Sequence, residues 1–487
     1  MLLPTGTIPQ SLNSIHKTFT NIVPNQSLGI PISISLFAGL ATTSLLFFTF
    51  RDIRTITDTD VIKTTLSKRN SNSNSQSKII PSPLITQIPT LFQEEISKLP
   101  YPPDIFPGAR DIPSPYGSTR AYEFGPVNGP KILLIHGIST PCISLHSLAT
   151  TLASSHGCRV LLFDLFGRGY SDGVLDLPYD ERLYTTQILL VLASSELAWV
   201  GGDGFHILGF SMGGGIAVDF AVGFPGLVKG VVLLAPSGLI REQHFGWMGK
   251  MMRKWWFPDG LSGWILRRRV KGAYSGVSNP TSSSSSSSSS KDNQNEDQVQ
   301  LDSELITTIP ASPITNQDTD IKVSFDDSLI SPSIPYTTVG QVMHWQTHQH
   351  HGYANAFASS IMHASVSGRG DTWRKLWGSG GFCGDGIIWG KGEDSKSKSK
   401  REKILVVVGD CDDVILAEEL KEDLEGVVGS IGAEGEDDGN GDCKGDGKKG
   451  IRFEEKIVWK VVEGAGHEFP ITKGEEVARF IGEFLSG

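Results

Sequence analysis

The chain is short of cysteine and of positive charge. Five cysteines in 487 residues, at 142, 158, 383, 411 and 443, form neither an even disulfide framework nor a paired CxxC metal site. Such usage predicts a reducing compartment. Lys and Arg number 43 against 53 Asp and Glu, a net charge of −10, so the basic footprint of a nucleic-acid binder is missing and no nucleic-acid partner is expected. Hydrophobic residues amount to 39%, low enough that part of the chain is expected to stay outside any core.

Charge is wholly absent between Lys17 and Arg51. Within that gap residues 28–50, LGIPISISLFAGLATTSLLFFTF, are predominantly apolar, and as a helix they would extend about 34 Å, enough to cross a bilayer core. A cleaved signal peptide would start with a basic region and a shorter apolar run, whereas here 1–27 hold Lys17 alone. A transmembrane anchor over 28–50 is therefore expected, behind an N-terminal segment 1–27. Arg51, Arg54, Lys63, Lys68 and Arg69 follow it, and this bias predicts a single-pass protein whose C-terminal bulk is cytosolic. A mitochondrial presequence is the alternative, although its arginines are missing. Residues 51–95, with NSNSNSQS at 70–77, read as a polar linker.

Three further stretches lack the apolar content to offset their ordering entropy. Residues 277–335 contain nine consecutive serines, Ser282 to Ser290. Residues 391–403 and 429–450 read as flexible loops. In the last of these, Asp438, Asn440 and Asp442 suggest a calcium loop, but the pattern has Cys443 where it needs Gly and Lys449 where it needs Glu.

What is left alternates short apolar runs with helix-like segments. The runs are Ile132–His136, Arg159–Asp164, Phe205–Gly209, Lys229–Ala235, Ile404–Gly409 and Lys456–Val462; the helices include Glu181–Val200 and Met212–Phe224. Apolar strands separated by helices predict the α/β class, with a mostly parallel sheet covered on both faces. Its two parts are expected at 96–238 and 376–487, separated by an insertion at 239–375.

G-x-S-x-G occurs twice, as Gly169-Tyr170-Ser171-Asp172-Gly173 and as Gly209-Phe210-Ser211-Met212-Gly213. Gly is 55 of 487 residues, so a match alone decides little and context must choose. The second follows the strand-like FHIL and opens the apolar run MGGGIAVDFAVGF, giving a strand, a sharp turn allowed by Gly209 and Gly213, and a helix. Ser211 is thus the expected nucleophile. Ser171 lies several residues past its strand and runs into a loop-like sequence with Pro178.

A serine hydroxyl needs a base, and the base needs an orienting acid, each from a loop after a later strand. After KILVVV comes Gly409-Asp410-Cys411-Asp412-Asp413, and after KIVWKVV comes Glu463-Gly464-Ala465-Gly466-His467. His467 is the expected base and Asp412 the expected acid, with Asp410 and Asp413 left open. Backbone N–H groups must also bind the developing oxyanion. Met212 is the first donor expected, and Ile138, in the turn His136-Gly137-Ile138 after KILLI, is the second. His136 itself is expected to hold that turn.

Through LLIHG, FDLFGRGYSDG, GFSMGG, VVLLAPSG, VVVGDCDD and GAGHEFP, over about residues 118–242 and 335–485, the chain resembles the α/β-hydrolase superfamily. The resemblance implies that fold with a helical cap insertion, a serine hydrolase, and Ser211, Asp412 and His467 as nucleophile, acid and base. It implies no cofactor and no metal. Epoxide hydrolases and haloalkane dehalogenases of the superfamily carry Asp at the elbow, where this chain has Ser. Acyltransferases often add H-x-x-x-x-D, which none of the twelve histidines satisfies. In architecture the chain is similar to membrane-anchored monoacylglycerol-lipase-like enzymes.

Between Phe245 and Lys271 stand seven basic residues and one acid, Asp259, interleaved with Trp247, Trp255, Trp256 and Trp264. This mixture predicts a face for the bilayer interface or, equally, aromatics closing over a pocket. The expected partners are accordingly a membrane and a small ester of lipid type. A thioesterase or small-ester hydrolase is the alternative, and a non-catalytic lipid or partner binder the alternative of a different class. His344, His348 and His351 share a helical face, but with no carboxylate nearby in sequence a packed cap helix is expected there rather than zinc.

Overall fold

The structure, a computed structural model, describes residues 78–201, 204–245, 263–268, 270, 325–377, 403–431 and 451–486. The expected anchor at 28–50, segment 1–27, most of the linker, the loop 429–450 from 432 on, almost all of 391–403 and most of the basic aromatic stretch lie outside these residues. Among the described residues no helix is long and apolar enough to cross a membrane.

The strands are β1 (Ile79–Ile80), β2 (Ala109–Ser114), β3 (Gly117–Phe124), β4 (Lys131–Ile135), β5 (Arg159–Phe163), β6 (Gly173–Val174), β7 (Phe205–Phe210), β8 (Val228–Leu234), β9 (Leu329–Ser331), β10 (Ile334–Thr338), β11 (Ile404–Gly409) and β12 (Ile457–Val462). Eight of them make one sheet in the order β12-β11-β8-β7-β4-β5-β3-β2. β4, β5, β7, β8, β11 and β12 run parallel, and β3 and β2 join antiparallel. KILLI, RVLLF and ILVVVG are almost wholly buried because helices cover both faces of a parallel sheet, which is why these strands read as continuous apolar runs. β2 and β3 went unpredicted. ARDIPS is half polar and carries Pro113, a residue that only an edge strand tolerates.

The longer helices are α1 (His146–Ser154), α2 (Glu181–Ala193), α3 (Met212–Gly223), α4 (Val339–Gln349), α5 (Tyr353–His363), α6 (Gly370–Lys375), α7 (Ala417–Ser430) and α8 (Gly474–Ser486). α1 packs on α8, while α3 packs on α2 and α6, so the two groups form the layers on either side of the sheet. α8 shows how sequence drives this: Val477, Ala478, Phe480 and Ile481 recur at helical spacing and are buried, with Glu475, Glu476 and Glu483 on the other face.

Between β8 and β11 the chain leaves the sheet, and α4 and α5 are the longer helices of the described part of the cap. Three expected boundaries shift. The linker expected over 51–95 ends earlier, since β1 pairs antiparallel with β6 and short helical turns follow at Pro83–Thr86 and Gln93–Ile96. Of the low-complexity insertion expected over 277–335, residues 277–324 lie outside the described residues, while from Phe325 the chain forms structure that includes the β9–β10 hairpin. Finally, α6 packs on α3 and α7 and so extends the core layer, with Trp373 fully buried.

Candidate active site

Ser211 sits between β7 and α3 at φ 54° and ψ −120°. Among the described residues only Ala235 shares a positive φ without being glycine. Such a conformation costs about 1–3 kcal/mol and persists only where the surroundings fix it. They do: Ser211 N–H donates to the Leu234 carbonyl at 2.9 Å, and its own carbonyl accepts from Gly214 N–H at 2.8 Å and Ser237 N–H at 3.0 Å. The flanking glycines are steric requirements. A Cβ on Gly209 would lie 2.1 Å from the Gly213 carbonyl oxygen, and one on Gly213 would lie 2.4 Å from that of Ile135.

The strands after the elbow deliver the partners. His467, in the loop beyond β12, places Nε2 3.0 Å from Ser211 Oγ and Nδ1 2.9 Å from Asp412 Oδ2. Phe210 packs on the imidazole with ring centroids 5.2 Å apart. The other carboxylate oxygen of Asp412 accepts the N–H groups of Val414 and Ile415, both at 2.8 Å, so the acid is fixed by its own loop. Cys411 N–H donates to the Ala465 carbonyl at 3.0 Å, tying the acid loop to the histidine loop. Asp410 and Asp413 are exposed, and Asp410 accepts only the Ala465 N–H at 3.2 Å among the described residues.

Burial by itself would push the His467 pKa down. The neighbouring Asp412 carboxylate, its hydrogen bond, and Glu468 and Asp413 more than reverse that, and the net shift is upward.

Gly137 and Ile138 lie against the elbow: a Cβ on Gly137 would stand 3.4 Å from Ser211 Cβ. Met212 N–H, at the first position of α3, has no acceptor within its helix, and neither it nor Ile138 N–H meets another backbone acceptor among the described residues. His136, fully buried, holds this turn as expected. Its Nε2 accepts Leu165 N–H at 2.9 Å, which forces the proton onto Nδ1, and Nδ1–H donates to the Gly137 carbonyl at 2.8 Å. Burial, with the Arg168 charge, holds its pKa at about 3, so the imidazole is neutral.

Ser171 is elsewhere and buried. Its hydroxyl donates to the Asp164 carbonyl at 2.6 Å and accepts Arg120 N–H at 3.0 Å. In the cap, His344 and His348 stack with ring centroids 4.2 Å apart, and no three His, Cys, Asp or Glu groups converge as metal ligands among the described residues.

Two buried polar residues beside the site escaped the sequence reading. Arg168 is fully buried and Gln346 of α4 likewise. The signal for Gln346 was a polar residue on the helix face otherwise made by Val339, Val342 and Met343.

Comparison with known proteins agrees with this fold. Residues 130–428 match the family described as alpha/beta hydrolase fold. A serine hydrolase-like protein of Danio rerio is 30% identical over 133 residues, 26% of this chain and 38% of that protein. Lipase 1 of Psychrobacter immobilis is 31% identical over 116 residues, 24% of this chain and 34% of the lipase. The chain thus spans little more than a third of the length of either relative. A bacterial membrane phospholipase A superposes with a TM-score of 0.44 at 15% identity, covering 78% of this chain and 86% of that one, a likeness too loose to carry an argument. With the match extending over more than half of its residues, the chain belongs to the alpha/beta hydrolase fold family.

Proposed function

We propose that the chain is a serine hydrolase that cleaves carboxylic esters of lipid type through an acyl-enzyme. The observation that carries this reading is the continuous relay from Asp412 Oδ2 through His467 to Ser211 Oγ, with both links at hydrogen-bond length.

Ser211 Oγ attacks the ester carbonyl carbon while its proton passes to His467 Nε2. Asp412 keeps the other proton on Nδ1 and stabilises the imidazolium that forms. Met212 and Ile138 N–H groups receive the negative charge on the former carbonyl oxygen. The tetrahedral species collapses, the ester C–O bond breaks, and the leaving alcohol takes the proton from Nε2. Water then repeats the sequence on the acyl-enzyme and releases the acid.

A lipid ester is favoured by the lipase relative and by the aromatic and basic residues 245–271 at the entry to the cap insertion. The apolar segment 28–50 and the basic residues behind it support attachment to a membrane with the catalytic part in the cytosol.

The test is a panel of acylglycerols, lysophospholipids and acyl thioesters against wild type and Ser211→Ala. Turnover of a lipid ester that disappears in the variant supports the proposal. Preference for thioesters transfers the reading to a thioesterase, and a folded wild type without turnover transfers it to a binding protein. Removal of residues 1–50 is expected to move the protein from the membrane to the soluble fraction; retention on the membrane overturns the anchor.

A further inference from the structure

Three consecutive carbonyls in the turn after β4 are each held by a buried side chain. The Gly137 carbonyl accepts from His136, the Ile138 carbonyl accepts Arg168 Nε–H at 3.1 Å, and the Ser139 carbonyl accepts Gln346 Nε2–H at 2.8 Å. The first belongs to the core, but the other two lead into the cap.

Arg168 donates from Nη2 to Ser360 Oγ of α5 at 2.8 Å, and from Nη1 to Tyr184 Oη at 2.9 Å and the Phe166 carbonyl at 3.1 Å. Among the described residues its hydrogen-bond partners are carbonyls and hydroxyls, without a carboxylate, and it lies over the Tyr179 ring, 5.9 Å from its centroid. A buried guanidinium in such company is costly to place and has its five donors in one rigid fork, so it fixes whatever it touches. Tyr184 Oη and Ser360 Oγ are themselves 2.6 Å apart, which closes a ring of polar contacts between core and cap.

Gln346 stands on α4. Its Oε1 accepts Gly169 N–H at 2.8 Å while Nε2 donates to Ser139. A carbonyl can only accept and an N–H can only donate, so the two partners force the orientation of the amide. The side chain therefore ties the turn that carries Ile138 to the loop between β5 and β6, and ties both to the cap.

We propose that Gln346 is a positioning residue through which the cap sets the Ile138 N–H for the oxyanion. The peptide plane that carries the Ile138 N–H is held through the Gly137 carbonyl by His136, and the next two planes are held by Arg168 and Gln346, so releasing the Ser139 carbonyl removes one of three holds on a short turn whose planes are linked at Cα atoms. With that hold lost, the Ile138 N–H is less firmly aimed at the position where charge develops, although His136 and Arg168 still hold the turn. Removing such a donor outright costs about 10²- to 10³-fold in rate, and a donor that is loosened costs less. This inference rests on the serine-hydrolase reading, and cap and oxyanion site then act as one unit.

The experiment is the rate of covalent labelling by a fluorophosphonate, with the full chain in detergent or vesicles. Ser211 Oγ forms the O–P bond, fluoride leaves, the proton passes to His467, and the phosphoryl oxygen enters the oxyanion site. Two variants are compared with wild type. Gln346→Glu keeps an acceptor for Gly169 N–H but sets a carboxylate oxygen against the Ser139 carbonyl; Gln346→Met removes both bonds at similar volume. The end-point stoichiometry counts folded active sites, whereas the rate constant does not depend on how many there are. About a ten-fold fall in the rate constant of either variant, at whatever end point, supports the proposal. Rate constants within two-fold of wild type overturn it, whatever happens to the end point, because a purely structural role lowers only the number of sites. A wild type that is not labelled at all would fail the serine-hydrolase reading itself, and this inference with it.

Discussion

Two five-residue segments of this protein have the same pattern and different fates. In Gly209–Gly213 the serine occupies a strained left-handed turn, half-buried, with His467, the proposed base, at 3.0 Å. In Gly169–Gly173 the serine is fully buried and its hydroxyl is spent on a carbonyl and an N–H of the backbone. Each also has a histidine nearby, and the contrast extends to it. His467 has an acid behind it and a raised pKa, which suits a base. His350 accepts Gly352 N–H at Nδ1 and donates from Nε2 to the Ser171 carbonyl at 2.7 Å, and burial drops its pKa to about 4. It is a neutral strut. On the proposed reading, what separates a reactive serine from a structural one is the backbone angle that frees the hydroxyl and the carboxylate that raises the imidazole pKa.

Substitution at the two serines should separate the segments most. Ser211→Ala is expected to lower ester hydrolysis by at least about 10⁴-fold with little change in Tm. Ser171→Ala is expected to leave the turnover of each folded molecule within about two-fold while lowering stability by about 1–3 kcal/mol, because the Arg120 N–H and the Asp164 carbonyl lose a buried partner. Urea unfolding and active-site titration measure the two quantities separately. The opposite pattern would reverse the roles assigned to the two serines.

Asp412→Asn should cost about 10³- to 10⁴-fold in kcat, since the tautomer of His467 is no longer enforced. The pH profile sharpens this. Only neutral His467 accepts a proton, and its pKa is raised, so kcat/KM should fall with acid along a limb centred above pH 6.5. In Asp412→Asn the limb should move down in pH. A limb at the same place in both proteins would mean that another acid charges the base.

The last effect is on stability. His136, His146 and His350 have pKa values lowered by burial to about 3, about 4 and about 4, against 6.5 for the ordinary side chain. Between pH 6.5 and about 4 the unfolded chain binds protons that the folded chain refuses, so stability declines as pH falls through that window. Each contributes on the order of 2 kcal/mol by pH 4.5. The urea midpoint should drop steadily from pH 7 to 4.5, and a flat profile would show that these histidines are protonated in the fold.

The central strands and the elbow were legible because both are written in local sequence. Strands buried on two faces must be apolar throughout, and a turn as tight as that around Ser211 demands glycine on both sides. The edge strand β2 and its neighbour β3 were not legible, since their alternation of polar and apolar residues is broken by Pro113 and Arg120. Sequence also left three aspartates for one role. Only the path of the backbone turns Asp412 inward and its neighbours out, with the Val414 and Ile415 N–H groups holding it there. Arg168 and Gln346 were missed for a related reason. Their partners in the turn after β4 lie 30 and 207 positions away, so nothing local marks them beyond a polar residue where packing wants an apolar one.

The most direct measurement is mass spectrometry of peptides from the fluorophosphonate-treated full chain. The adduct is expected on the peptide containing Ser211, with none on that containing Ser171 and none anywhere once Asp412 and His467 are both replaced by Ala. An adduct on Ser171, or undiminished labelling of Ser211 in the double variant, would contradict the account.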